Sequence, residues 1–311
     1  MEYRIVKRRK TGKYVIVDKR GKAISQEFLK ISNRGLVDGS SIYYIAEKTW
    51  GWAIFDVSGR MVSPEWFAYI WEDGLVSGES KYYKVKGRKD GKEAIFDVDG
   101  NMISPEWFDY IRKDGLIKGK SKYYVAVKED MQAIFDVNGN RITKWFDWIS
   151  SDGLVEGESD YYLVKEDGEY AIFDKNGKII TPDRFDMILP EGLIKGQSDY
   201  FIAKKGNKYA IFDKNGNQIS NWFDRIEIDG LVKGESDYYV ACNEDTCAVY
   251  HKDGQKVSEN FPIEYVRLSN IVFNENLGIA EIKKSYKTIT IDFNPVYPFK
   301  EEIIDYTKLL N

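Results

Sequence analysis

Two sets of carboxylates recur along this 311-residue chain at spacings that invite chemistry. The first runs Asp18, Asp56, Asp97, Asp136, Asp174 and Asp213, and each opens a short polar segment such as Asp136-Val137-Asn138-Gly139-Asn140. These segments resemble the start of a calcium loop. Calcium takes about six to eight oxygens, in the familiar loop with a bidentate Glu at its twelfth position. No such Glu follows any copy, so the expectation is an Asp that bonds the backbone of its own turn and holds no metal. The second set, Asp109, Asp147, Asp186 and Asp224, follows Phe in each case. A unique carboxylate pair can hydrolyse a glycosidic bond. These four arise by repetition, which points instead to a turn or a hydrogen bond between units.

Aromatic residues offer a different chemistry. Trp66, Trp107, Trp145 and Trp222 occupy one position, each just before a Phe, and Arg184 breaks the series. With Trp148 and Trp71 they form a candidate row of stacking platforms for sugars, bases or peptide side chains. The competing use is packing between units. The tyrosine pairs at 43–44, 82–83, 123–124, 161–162 and 238–239 place one ring on each face of a strand, so one ring of each pair belongs to the core. Cys242 and Cys247 flank Asn243-Glu244-Asp245-Thr246, which sets them side by side across a hairpin. A cross-strand disulfide is possible there, and reduced thiols are expected if the chain is cytoplasmic. Two Cys and one His do not complete a zinc site. His251 replaces the turn Asp of the seventh copy, lacks a Ser or Cys partner, and is expected at the surface.

All of these residues sit in one repeating frame. The turn Asp recurs at gaps of 38, 41, 39, 38 and 39 residues by subtraction, then 38 to His251 and 41 to Asp292. A period near 39 marks a repeat architecture. One copy reads Tyr161-Tyr162-Leu163-Val164 as a first strand, Glu166-Asp167-Gly168 as a turn, and Tyr170 to Asp174 as a second strand. Asp174-Lys175-Asn176-Gly177 is a tight turn, Lys178 to Thr181 a third strand, and Phe185 to Ile188 a possible fourth. Exit segments such as Gly115-Leu116-Ile117 and Gly153-Leu154-Val155 put glycine where backbones approach closely or φ is positive. The extra residues Gly87-Arg88-Lys89-Asp90-Gly91 in the third copy mark a loop that faces water. A helical period is nowhere sustained, so the fold is all-β: a β-propeller-like ring of about eight blades, with an open β-meander solenoid as the alternative. The chain reads as a single repeat domain over 1–311, with about seven clear copies and a degenerate eighth from about 265 to 311. Ile279 to Asp292 forms a hairpin there, Pro295 and Pro298 follow, and Lys300 to Leu310 is a short helix or a closing strand.

Gly51-Trp52-Ala53-Ile54-Phe55-Asp56-Val57-Ser58-Gly59, followed by Pro64, Phe67 and Gly74-Leu75, resembles the bacterial WG-repeat (KWG-type) proteins. The resemblance covers nearly the whole chain and is divergent: Trp52 is kept in one copy, while Tyr170, Tyr209 or Glu93 stands in others, and Ala replaces the family's Gly. It implies an interaction module and carries over no catalytic residue.

Composition narrows the function classes. Lys and Arg number 46 against 50 Asp and Glu, a net charge of −4 that argues against a nucleic-acid binder. Apolar runs fall short of the roughly 18 residues of a membrane span, and the basic first ten residues lead into no apolar signal region. The chain is therefore expected to be soluble and cytoplasmic, with no cofactor. Near-identical units without a unique reactive cluster point to a non-enzymatic scaffold that binds a protein or peptide through its repeated surface. The alternative is a carbohydrate- or small-ligand-binding propeller using Trp66, Trp107, Trp145, Trp148 and Trp222.

Overall fold

Each Tyr-Tyr-apolar strand pairs with the Ala-Ile-Phe-Asp strand that follows it. In the computed structural model, which describes residues 2–293 apart from 268 and 286, eight small antiparallel sheets result, about one per copy. Pro295, Pro298 and segment 300–310 lie outside the described residues. The chain groups into two compact units, 1–179 and 180–311. The first holds five of the sheets and the second three. Among the described residues the one helical segment is a 3-10 turn, Ile263–Tyr265. The degenerate eighth copy does form its hairpin, with Ile279–Lys284 against Lys287–Asp292.

The expected third and fourth strands are corrected. In the fourth sheet, Tyr123–Lys128 pairs with Met131–Asp136. The returning chain then lies along the outer edge of the second strand as isolated bridges, Phe135 to Arg141 and Gln132 to Phe146. Between those bridges the Ile134 N–H donates to Thr143 Oγ1 at 3.0 Å, a contact that Ser63 and Ser104 repeat for Ile54 and Ile95. With that edge occupied, the next two residues, Trp148–Ile149, pair with the first strand of the following hairpin, opposite Lys165 and Val164. Met187–Ile188 does the same to Lys204 and Ala203. What reads as the end of one copy is thus the first strand of the next sheet.

The second, third and fourth sheets are covered on both faces, which is why their strands are apolar in continuous runs rather than in alternation. Ile45 and Ile54 of the second sheet, with Phe67 bridged to its edge at Trp52, pack against Ile70 and Tyr83 of the third. Tyr44, Ala53 and Phe55, on the opposite face, pack against Ile16 and Phe28 of the first copy. Exit segments stitch neighbours together. Gly115 has φ +62, and a Cβ there would lie 2.3 Å from Tyr123 O and 2.6 Å from Val155 O. Ser121 Oγ donates to the same Val155 carbonyl at 2.6 Å.

The second tyrosine of each pair is the core ring. Tyr44, Tyr83, Tyr124, Tyr162 and Tyr239 are buried, and Tyr124 stacks on the cross-strand Phe135 at 5.6 Å. The hydroxyls of Tyr44, Tyr83, Tyr124 and Tyr239 have no hydrogen-bond partner, and burial pushes these phenols well above their ordinary pKa. Phe201 stands at the same position in the sixth sheet and needs no hydroxyl. Tyr124→Phe is therefore expected to be neutral or stabilising by up to about 1 kcal/mol in urea unfolding, because it removes an unpaid desolvation cost. A loss above about 2 kcal/mol would reveal a hydrogen bond to buried water.

Candidate functional site

Turn carboxylates come first, since they were the strongest chemical signal. Asp136 Oδ1 accepts the N–H groups of Asn138 and Asn140, both at 2.9 Å, and Asp18, Asp56, Asp97, Asp174 and Asp213 accept the equivalent pairs. The Asp series is therefore spent on its own turns. Burial would raise the Asp136 carboxyl, but hydrogen bonds from the Asn140 side chain and from two backbone N–H groups hold it below its ordinary value. Among the described residues no cluster of His, Cys, Asp or Glu could hold a metal ion.

The second carboxylate series bonds between units, as its repetition suggests. Asp109 Oδ2 accepts the Glu129 N–H at 2.9 Å, and Asp147 accepts that of Asp167 at 2.8 Å. Asp186 and Asp224 do the same for Gly206 and Glu244. Each caps the hairpin tip of the following sheet, where Glu129, Asp167 and Glu244 adopt positive φ. The Glu129 N–H and then Lys92 lower the Asp109 pKa; Lys208 and then the Glu244 N–H lower that of Asp224. A carboxyl depressed in the folded chain contributes stability above its unfolded pKa and loses it as pH falls through the folded value. The urea midpoint is expected to hold from pH 7 to about 5 and to drop between about 4 and 2. A midpoint unchanged at pH 2 would contradict this accounting.

The tryptophans divide. Trp66, Trp107 and Trp145 are half-buried, each in a niche between two phenylalanines or beside one. Trp107 lies 6.3 Å from Phe67 and 6.2 Å from Phe96; Trp145 lies 6.4 Å from Phe108 and 6.1 Å from Phe135. Trp222 sits likewise between Phe185 and Phe212 in the second unit. These rings pack between copies. Trp148 does not join them: it belongs to the two-residue first strand of the next sheet and is 38% exposed. Its equivalents in the two preceding sheets are Tyr110, 43% exposed, and Tyr69, 46% exposed. The structure thus shows a row of open rings, Tyr69, Tyr110 and Trp148, on successive edge strands. The signal was present in the sequence two residues beyond each Phe, where large side chains recur.

Two further features become visible only when the copies are compared position by position. Lys84 takes the place held by Ile45, Val125 and Leu163 in the centre of the first strand. It is buried, and its Nζ lies 3.0 Å from Glu93 Oε2 and 2.7 Å from Ile111 O. The ammonium also lies 3.9 Å from the Trp71 ring centroid and 4.6 Å from that of Tyr110. Desolvation lowers its pKa, and Glu93 opposes that shift. A buried pair of this kind can mark a reactive centre, but both members are closed to solvent. The other feature is a cavity of about 700 Å³ lined by Glu65, Trp66, Phe67, Trp107 and the inserted loop at Gly87 to Asp90. Arg88, Lys89 and Asp90 face water, as the insertion implied.

Two expectations fail. Cys242 and Cys247 are opposed in the hairpin register, buried, and joined as a disulfide rather than left as thiols. They occupy the cross-strand site where Lys165 faces Tyr170 and Lys204 faces Tyr209 in the preceding sheets. His251 is buried, not at the surface. Tyr238 covers it at 5.2 Å, Phe293 in turn packs on Tyr238 at 4.6 Å, and Asp253 Oδ1 lies 3.0 Å from its Nδ1.

No family model and no curated protein matches this chain. Among solved structures it is similar to Kluyveromyces lactis Hsv2, at 13% identity over 82% of this chain and 95% of that one, with a TM-score of 0.32. It is similar to a structure described as the eukaryotic initiation factor at 11% identity, 90% and 77% coverage and a TM-score of 0.35. A complex of KlAtg21 with the coiled-coil of AgAtg16 matches at 13% identity, 82% and 92% coverage and a TM-score of 0.29. This chain's own strands make it an all-β protein of eight small repeated sheets among the described residues.

Proposed function

We propose that this chain is a non-enzymatic interaction scaffold that binds a protein or peptide through its repeated surface. One observation carries the reading: Tyr69, Tyr110 and Trp148 stand open at one position of three successive edge strands. Burying such a ring is worth about 1.5–3 kcal/mol. The three rings leave 38% to 46% of their surface in water and so keep part of that gain in reserve, although Tyr110 also covers the Lys84 ammonium at 4.6 Å. Face-to-face sheets lie about 10 Å apart. A polyproline II segment has three residues per turn and rises about 3.1 Å per residue, so every third side chain, all on one face, meets the next ring. The reading needs no cofactor or metal, and no nucleic acid or membrane. Of the tryptophans expected to form a ligand row, Trp148 alone contributes to it; Trp66, Trp107, Trp145 and Trp222 spend their faces on phenylalanines.

Selection of a random-peptide phage library on the immobilised chain tests this. Selected peptides are expected to bind at least tenfold more weakly to a Tyr110→Ala/Trp148→Ala variant whose circular dichroism and urea midpoint match the parent. Selection that yields no clone above background, or clones indifferent to both substitutions, would reject it.

A further inference from the structure

One position differs between the third hairpin and its neighbours, where a Cβ on Gly87 would lie 3.1 Å from the Trp107 ring. The position five residues after the strand-opening Tyr43, Tyr82, Tyr123, Tyr161 and Tyr200 is held by Lys48, Gly87, Lys128, Glu166 and Lys205; in the third sheet the strand itself already ends at Lys86. It meets the residue that precedes the niche tryptophan or its equivalent in the copy before: Gln26, Glu65, Glu106, Lys144 and Asp183. In four of these junctions the two side chains bond. Lys48 Nζ is 2.6 Å from Gln26 Oε1, and Lys128 Nζ is 2.7 Å from Glu106 Oε2. Lys205 bonds Asp183, and Lys144 bonds Glu166 with the charges exchanged. Lys48 Nζ also lies 5.5 Å from the ring of Phe28 and 5.7 Å from that of Trp66.

At the third junction everything is retained except the cation. Glu65 replaces Gln26, Phe67 replaces Phe28, and Trp107 replaces Trp66, but Gly87 stands where the lysine should be. The cavity of about 700 Å³ opens at this point. Among the described residues, Glu65 has no hydrogen bond or ion pair. Arg88 and Lys89 line the same cavity from the inserted loop and make no ion pair with Glu65. The copy also lacks the capping Asp: Ala68 holds the place of Asp109 and Asp147, so the loop is released from the junction that other tips close.

We propose that this cavity accepts the ammonium group of a lysine side chain from the bound partner, between Glu65 and the rings of Phe67 and Trp107. The partner's side chain supplies the counter-charge that Lys128 gives Glu106 and Lys205 gives Asp183, and the cation over aromatic faces that Lys48 gives Phe28 and Trp66. The inference rests on the chain being a binding scaffold and names one group that its partner carries.

The test is titration of the full chain, labelled with 15N at tryptophan, with n-butylammonium chloride. Indole signals of Trp66 and Trp107 are expected to shift saturably, while the neutral 1-pentanol leaves them in place. Glu65→Gln should weaken the effect at least tenfold, and Gly87→Lys, which restores the internal cation, should abolish it. Arg88→Ala/Lys89→Ala removes like charge and should tighten binding. No saturable shift up to 100 mM amine (roughly the limit for a lone ammonium on an aromatic face), an equal response to pentanol, an unaltered Glu65→Gln response, or loss of binding in the Arg88/Lys89 variant would each overturn the proposal. A chain that captures peptides through Tyr110 and Trp148 yet ignores the amine refutes this inference alone.

Discussion

Replacing Lys84 by valine is expected to cost about 3–5 kcal/mol in urea unfolding, one of the largest effects available in this chain. Valine fits the space, since Val125 fills the same position one sheet later. The cost comes from Glu93. It is 5% exposed, and its Oε2 accepts from Lys84 Nζ at 3.0 Å and from the Ile111 N–H at 2.7 Å. Without the ammonium a carboxylate is left in a site that desolvates it. The fourth sheet supplies the remedy. Gln132 occupies the place of Glu93 beside Val125, and its Oε1 accepts the Ile149 N–H at 3.2 Å. Lys84→Val/Glu93→Gln should therefore recover most of the lost stability. A single variant as stable as the parent at pH 7, or a double variant no better than the single, would show that the pair does not govern this junction.

Gly115→Ala should be nearly as damaging, by a different route. A left-handed backbone costs a non-glycine residue about 1–2 kcal/mol. At φ +62 the added methyl also lies 2.3 Å from Tyr123 O and 2.6 Å from Val155 O, both backbone atoms that cannot swing aside. The two exit segments must part, and the hydrogen bond from Ser121 Oγ to Val155 O is stretched with them. The expected loss exceeds about 3 kcal/mol, as for other forced backbone shifts in packed interiors. Gly177 provides the control within the same unit: its φ is +82, but nothing lies within 4 Å of the added Cβ. Gly177→Ala should show the backbone cost alone. Equal urea midpoints for the two variants would mean that the junction yields without penalty.

Gly115 belongs to what was legible in the residues themselves, and Lys84 does not. The turn carboxylates, the positive-φ glycines and the hairpins all follow from interactions within a few positions, and each was readable from one copy. Asp136 can bond Asn138 and Asn140 whatever surrounds them. The period near 39 then implied a repeat architecture. The exposed ring row is harder to read, because tryptophan, the most conspicuous side chain, precedes each Phe. The open position lies two residues after it, and a strand of two residues is too short to declare which face is wet.

The sequence by itself determined the repeat, its all-β character, the position of its turns and the tight glycines at its exits, because those depend on local hydrogen bonding and on the conformations each residue tolerates. Tertiary structure alone decided that Trp148–Ile149 joins the following sheet, that Lys84 is enclosed by Trp71, Tyr110 and Glu93, that Cys242 and Cys247 are joined in the core, and that a cavity opens beside Gly87. Each of those outcomes is set between copies, by which edge remains unpaired and which side chain is missing from a junction that its neighbours fill.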